Sequence, residues 1–236
     1  MMARLFRCEL LKIKRKGLWL LTVLGPFGVV ALQMVNYGMR KAYLFAQSED
    51  RWGYYLHNVG AFTPLALVLG IVILTSFVAF VEEETGAWKS MAALPAPKGA
   101  LFLAKFFVPA MLLMVSSILL ALFTWAHGMT LELGQRVPWG DLLARSLLPY
   151  FAAFPILALQ SWVSAVARHQ GTAITVGVMG FFLTYNSHHL PDWIIWRWPM
   201  MASLGDRAEM SALLGLVVGA ALLVAGMRHF ARKDVI

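Results

Sequence analysis

The feature that most constrains this chain is a succession of apolar blocks, each close to the length that crosses a bilayer and separated from the next by polar text. A spanning helix takes about 20 apolar residues. Blocks of that kind lie at about 18–38, 59–81, 101–126, 142–167, 171–188 and 208–227. Sixty per cent of the residues are apolar and 14% charged, a balance that sets the chain apart from soluble domains. The expected fold is therefore an all-α membrane protein with six transmembrane helices, forming one transmembrane domain over residues 1–236. Pro26, Pro64, Pro109, Pro149 and Pro155 fall inside blocks. They predict kinks rather than breaks, because neighbouring helices can satisfy the freed carbonyls. Gly215 and Gly219, four apart in the last block, predict close helix packing. Gln33 and Gln160 are strongly polar at depth, and interhelical hydrogen bonding is their simplest role.

Lys and Arg counts set the orientation. With the N-terminus inside, one side holds Arg4, Arg7, Lys12, Lys14, Arg15, Lys16, Lys89, Lys98, Lys105, Arg168, Arg228, Arg232 and Lys233, which is 13 of the 20. The other side holds Arg40, Lys41, Arg51, Arg136, Arg145, Arg197 and Arg207. Acids divide the other way, so the whole net charge of +8 lies on the first side. Both termini are expected in the cytosol, in a multi-pass protein of the cell membrane. Topology and anionic membrane lipids account for the charge, and no motif supports nucleic-acid binding.

Residues 1–16 read as a basic amphipathic helix lying in the interface. At 100° per residue Met2, Leu5, Phe6, Leu10 and Ile13 share one side. Arg4, Arg7, Lys14 and Arg15 share the other, and Lys12 and Lys16 add to the charge. No small-residue cleavage site follows cleanly, which argues against a signal peptide. The single cysteine, Cys8, rules out a disulfide framework within the chain. On the non-cytosolic side, residues 39–58 and 187–207 are aromatic-rich loops. Trp193, Trp196 and Trp198 suit an interfacial belt, and the second loop is expected to re-enter the membrane edge as a short helix. His188, His189 and Asp192 offer three donors from one short loop with no fourth, a poor basis for a metal site.

Catalytic patterns are scarce. There is no Gly-rich loop ending in Gly-Lys-Ser/Thr, no HExxH and no GxSxG, so neither a catalytic residue nor a metal is expected in this chain. A Glu-Glu pair occurs at Glu82–Glu83, but the downstream Arg that intramembrane CAAX-type proteases pair with it is missing.

The most elaborate polar text lies between the second and third blocks, at residues 82–98. Glu82, Glu83 and Glu84 end a helix, where they oppose its dipole and face anionic lipid, so they call for a compensating partner. Gly86 allows a turn. Residues 87–94 then read as a short helix with Trp88 and Leu94 on its apolar side and Lys89 beside them, and Pro95 stops it. Such a helix, held between two spans, would act as a lever on both. The plainer reading is a solvated loop whose acids balance Lys89 and Lys98.

The run Glu82 to Glu84, Gly86, Trp88, Lys89, Leu94, Pro95, Pro97, Lys98, Ala104 and Lys105 resembles the same region of ABC-2-type permease subunits. Their lantibiotic-immunity and bacitracin-resistance branch looks nearest. Glu9, Lys12, Lys14, Trp19 and Pro26 are similar to that family's N-terminal segment. Lys98 stands where Arg is frequent, and the triple Glu leaves open which acid is the equivalent one. The resemblance implies a permease subunit of an ATP-driven exporter, not itself an enzyme. A separate ATPase subunit, which carries ATP and Mg, would dock on residues 82–98 as a coupling helix, and a second permease chain, identical or related, would complete the pathway. The near absence of charge in the spans favours an amphipathic cargo such as a peptide antibiotic or lipid-like molecule. A non-transporting membrane scaffold or sensor is the alternative. A membrane enzyme built on Glu82–Glu84 or on the His188–His189 loop is a third reading.

Overall fold

The computed structural model describes residues 2–14, 16–85, 97–134, 136–167, 169–201 and 208–232. Among them run α1 (Met2–Ile13), α2 (Leu18–Ala46), α3 (Arg51–Thr85), α4 (Lys98–Thr130), α5 (Trp139–Ala152), α6 (Phe154–Val166), α7 (Gln170–Tyr185) and α8 (Ala208–Arg232). One-turn 3-10 helices sit at Ser187–His189 and Trp198–Met200.

Local chemistry explains several boundaries. Gly17 joins α1 to α2 at φ +76°, a left-handed conformation that suits glycine. Asp50 starts α3, its Oδ1 accepting the Gly53 N–H at 2.9 Å as an N-cap carboxylate does. Pro97 opens α4, where its carbonyl accepts from Ala100 N–H at 2.9 Å. Residues 39–58, expected as a loop, are instead mostly helix. α2 continues to Ala46 through a kink at Arg40 (φ −131°), and α3 begins at Arg51. The aromatic residues of that stretch pack: Tyr37 and Tyr55 meet edge to face at 5.5 Å, and Trp52 and Tyr55 at 6.2 Å. Buried ring area of this kind favours extending the helices over opening a loop.

Five segments among the described residues are long and apolar enough to cross a membrane: Leu18–Ala46, Arg51–Val81, Lys98–Thr130, Trp139–Val166 and Ala208–Arg232. The sixth expected span corresponds to α7, which has only 16 residues. At 1.5 Å per residue that is roughly 24 Å, short of the bilayer's ~30 Å apolar core.

Proline behaves in two ways. Pro26, Pro64 and Pro109 lie inside continuous helices. Pro149 and Pro155 bracket a true interruption at Ala153, which separates α5 from α6. Pro155 has no N–H, so the Phe151 carbonyl loses its partner four residues on. α8 fits against that break. A Cβ on Gly215 would overlap the Phe151 carbonyl oxygen and come 2.7 Å from Ala152 Cα, and one on Gly219 would lie 2.9 Å from the Phe154 carbonyl carbon. The expected small-residue packing is thus realised where the partner backbone is itself disrupted.

Two buried clusters hold the bundle. Near α1, Ile13 and Leu18 join Val68, Ile71, Phe106, Leu112 and Leu157. At the opposite end Tyr37, Trp52, Tyr55, Leu120 and Leu142 gather. The two deep glutamines bond between helices as expected. Gln33 Nε2 donates to Asn58 O at 3.1 Å, and Gln160 Nε2 to Ala173 O at 2.8 Å.

Candidate functional site

α1 is helical and amphipathic, but its apolar side does not face lipid alone. Phe6, Leu10 and Ile13 pack onto the core cluster formed by α3 to α6, while Arg4 and Arg7 point outward. Glu9 lies on the packed side, four residues before Ile13 and three after Phe6, and it is only 5% exposed. Lys12 Nζ reaches its Oε1 at 2.6 Å. Lys105 of α4, 8% exposed, lies within electrostatic range of both Glu9 and Lys12. A buried carboxylate is tolerated only when paired, so this cluster fixes how α1 sits on α4.

Lys105 also borders a small cavity of about 20 Å³, lined by Thr75 on α3 and Ser161 and Ser164 on α6. That is roughly the room of one water. Three spanning segments therefore meet at the foot of α1. An exposed basic surface on one side of that helix is connected through it to α3 and α4.

The remaining expected residues fall as follows. Glu82, Glu83 and Glu84 are on the last turn of α3; their side chains lie outside the described residues. So do Gly86, Trp88, Lys89, Leu94, Pro95 and Arg15. Lys14 and Lys16 are exposed in the turn that leaves α1. The three tryptophans expected in an interfacial belt separate. Trp193 is 76% exposed, Trp196 is half-buried and Trp198 is 5% exposed. Trp196 stacks over Gly180, where a Cβ would come 2.6 Å from its Nε1. Trp198 donates its Nε1–H to Asp192 O at 2.8 Å, a bond within the loop. Within residues 187–201 the helical segments are two one-turn 3-10 helices, Ser187–His189 and Trp198–Met200. Pro191 and Pro199 interrupt helix formation, and Arg197 holds the loop through Asp192 at 3.1 Å and the Leu190 carbonyl. His188 and His189 stand exposed in the first of those turns.

Glu9 and Lys105 were legible only as family-like positions. A sharper signal existed: Glu9 breaks the apolar face of an otherwise regular amphipathic helix, which demands a buried cation opposite it.

A search of the curated proteins found no match. The family model for "ABC-2 family transporter protein" matches residues 5–185, from the first turns of α1 to the end of α7. That span takes in the α1–α4 junction and four of the five membrane-crossing segments, and the chain belongs to the ABC-2 transporter family.

Proposed function

We propose that this chain is the permease subunit of an ATP-driven exporter. It works with a separate ATPase that supplies ATP and Mg, and with a second permease chain, identical or related. The reading supposes six crossings, with α7 as the short sixth, and both termini in the cytosol. Residues 82–98 serve as a coupling helix, and α1 as an interfacial brace beside it. The exported molecule is amphipathic, of the kind handled by the lantibiotic-immunity and bacitracin-resistance branch. The observation that carries the reading is the charged seat of α1. Force applied to its basic surface reaches α4 through Glu9, Lys12 and Lys105, and so reaches the spanning bundle.

Co-purification with the ATPase tests this. Trp88→Ala should strip the ATPase from the complex, since truncating a buried aromatic anchor costs roughly 2 kcal/mol or more, while membrane insertion stays normal. Glu9→Gln should leave the ATPase bound yet reduce substrate-stimulated turnover. A normally active, normally retained ATPase in the Trp88→Ala and the triple Glu82, Glu83, Glu84→Gln proteins would end the coupling-helix reading. An ATPase that stays bound but never responds to any amphiphile would make the chain a scaffold or sensor.

A further inference from the structure

A cleft of about 580 Å³ opens between α2, α3 and α4 in the membrane-crossing part of the bundle. Its walls include Gly25, Gly28 and Leu32 on α2, Phe62 and Gly70 on α3, and Leu120 on α4. The space exists because α2 turns glycines toward it. A Cβ on Gly28 would meet nothing within 4 Å, and one on Gly25 would find only Ser116 Oγ at 3.8 Å. The lining is apolar apart from four hydroxyl residues, and two of these turn inward on their own helices. Thr22 donates to Leu18 O at 2.9 Å and Thr63 to Val59 O at 3.0 Å.

Each wall runs, one helical turn further from α1, into a polar side chain, buried on α2 and α4 and half-buried on α3. Val29 is followed by Gln33, Leu120 by Thr124, and Phe62 is preceded by Asn58, all at the four-residue spacing that keeps one face. These groups form a compact constellation. Asn58 Nδ2 donates to Tyr37 OH at 3.3 Å, and Tyr55 OH lies 3.4 Å from Thr124 O and 3.0 Å from His127 Nδ1. Two atoms in it, Gln33 Oε1 and Thr124 Oγ1, have no hydrogen-bond partner among the described residues, although the residues are 1% and 0% exposed. Buried polar atoms in an apolar medium demand partners. Among the described residues no Asp, Glu, Lys or Arg belongs to the constellation, so a charged group brought there would lose its hydration uncompensated.

We infer that cleft and polar cap form one binding site for a single-chain amphiphile whose uncharged head, an alcohol or an amide, both donates and accepts hydrogen bonds. The chain lies along the glycine face of α2, and the head is drawn past the end of the cleft toward Gln33 and Thr124, which lie one turn beyond its lining. That this ligand is the cargo, taken from the bilayer, rests on the exporter reading; the site itself does not.

The test is photolabelling of the purified full chain in nanodiscs. The probe is a long-chain alcohol carrying a diazirine in its tail, compared with the matching carboxylate. The alcohol should label α2 to α4 saturably and be displaced by unlabelled alcohol. Gly28→Leu, or Leu32→Trp should the first variant fold poorly, should abolish saturable labelling by filling the cleft. Thr124→Val should weaken the alcohol about five- to tenfold, the effect of losing one buried hydrogen bond, and leave thermal unfolding unchanged. Equal labelling by the carboxylate would overturn the uncharged-head assignment. Label spread evenly over outward residues such as Leu213 and Val217 of α8 would overturn the site, as would efficient disulfide crosslinking of two copies through Leu32→Cys. No ATPase is present in the assay. A failure here therefore leaves the exporter reading standing, and an ATPase that never co-purifies leaves the site standing.

Discussion

Glycine serves opposite purposes in α8 and α2. In α8, Gly215 and Gly219 bring a helix against the broken backbone between α5 and α6, close enough that a Cβ would come 2.7 Å from Ala152 Cα. In α2, Gly25 and Gly28 are one residue closer in sequence, yet a Cβ on Gly28 would meet nothing within 4 Å. One pair removes side chains so that two backbones can touch. The other removes them so that a cleft stays open. Small residues at helix spacing therefore announce a thin face. They do not say what fills it, because in lipid the packing partner, and not hydrophobic burial, decides association.

Three substitutions would break or sharpen this contrast, in falling order of effect. Gly215→Leu drives a branched side chain into the Phe151 carbonyl and the Ala152 backbone, neither of which can swing aside. It should cost about 3 kcal/mol, at the upper end of overpacking penalties, read as a lowered midpoint of thermal unfolding in micelles. An unchanged midpoint would mean that α8 does not sit on the break. Gln160→Leu removes the bond to Ala173 O that ties α6 to α7. A loss of about 1 kcal/mol is expected, typical of interhelical hydrogen bonds in membranes; no loss would show that this bond does not hold α7 to α6. Gly28→Ala should be the mildest. It adds a methyl to open space inside a helix, so stability should hold or rise by up to about 1 kcal/mol, the Gly-to-Ala difference in helix propensity. A clear loss would show that α2 closes onto a neighbour and that the cleft is not an open space.

How much was legible in the sequence follows from the range of each signal. Hydropathy and the 100° period act over one or two dozen residues, and they correctly placed helices over five long apolar blocks and over Met2–Ile13. The boundaries were poorer. Residues 39–46 and 51–58 looked polar and aromatic enough for a loop, but Tyr37, Trp52 and Tyr55 stack across the α2–α3 pair and carry both helices onward. At 187–201 the proline and tryptophan content fitted an interfacial loop, while only the Asp192 carbonyl explains why Trp198 turns inward. Residues 86–96, where the clearest docking text lies, fall outside the described residues, so the proposal for them rests on sequence and family.

The sequence alone determined that this chain is helical and membrane-crossing, because those properties are sums over local composition. It also marked the five prolines inside the apolar blocks and the Gly215 and Gly219 pair, but not the glycines of α2. Tertiary structure decided what each of those marks does. Pro155 opens α6 just after the interruption at Ala153 while Pro26, Pro64, Pro109 and Pro149 lie inside their helices, and Gly215 meets backbone while Gly28 meets open space. Glu9, an oddity on an apolar face, becomes the seat of α1 because Lys105, 96 positions away, comes to its side. These outcomes depend on which residues distant in the chain become neighbours, and close packing and charge pairing take effect only at that contact.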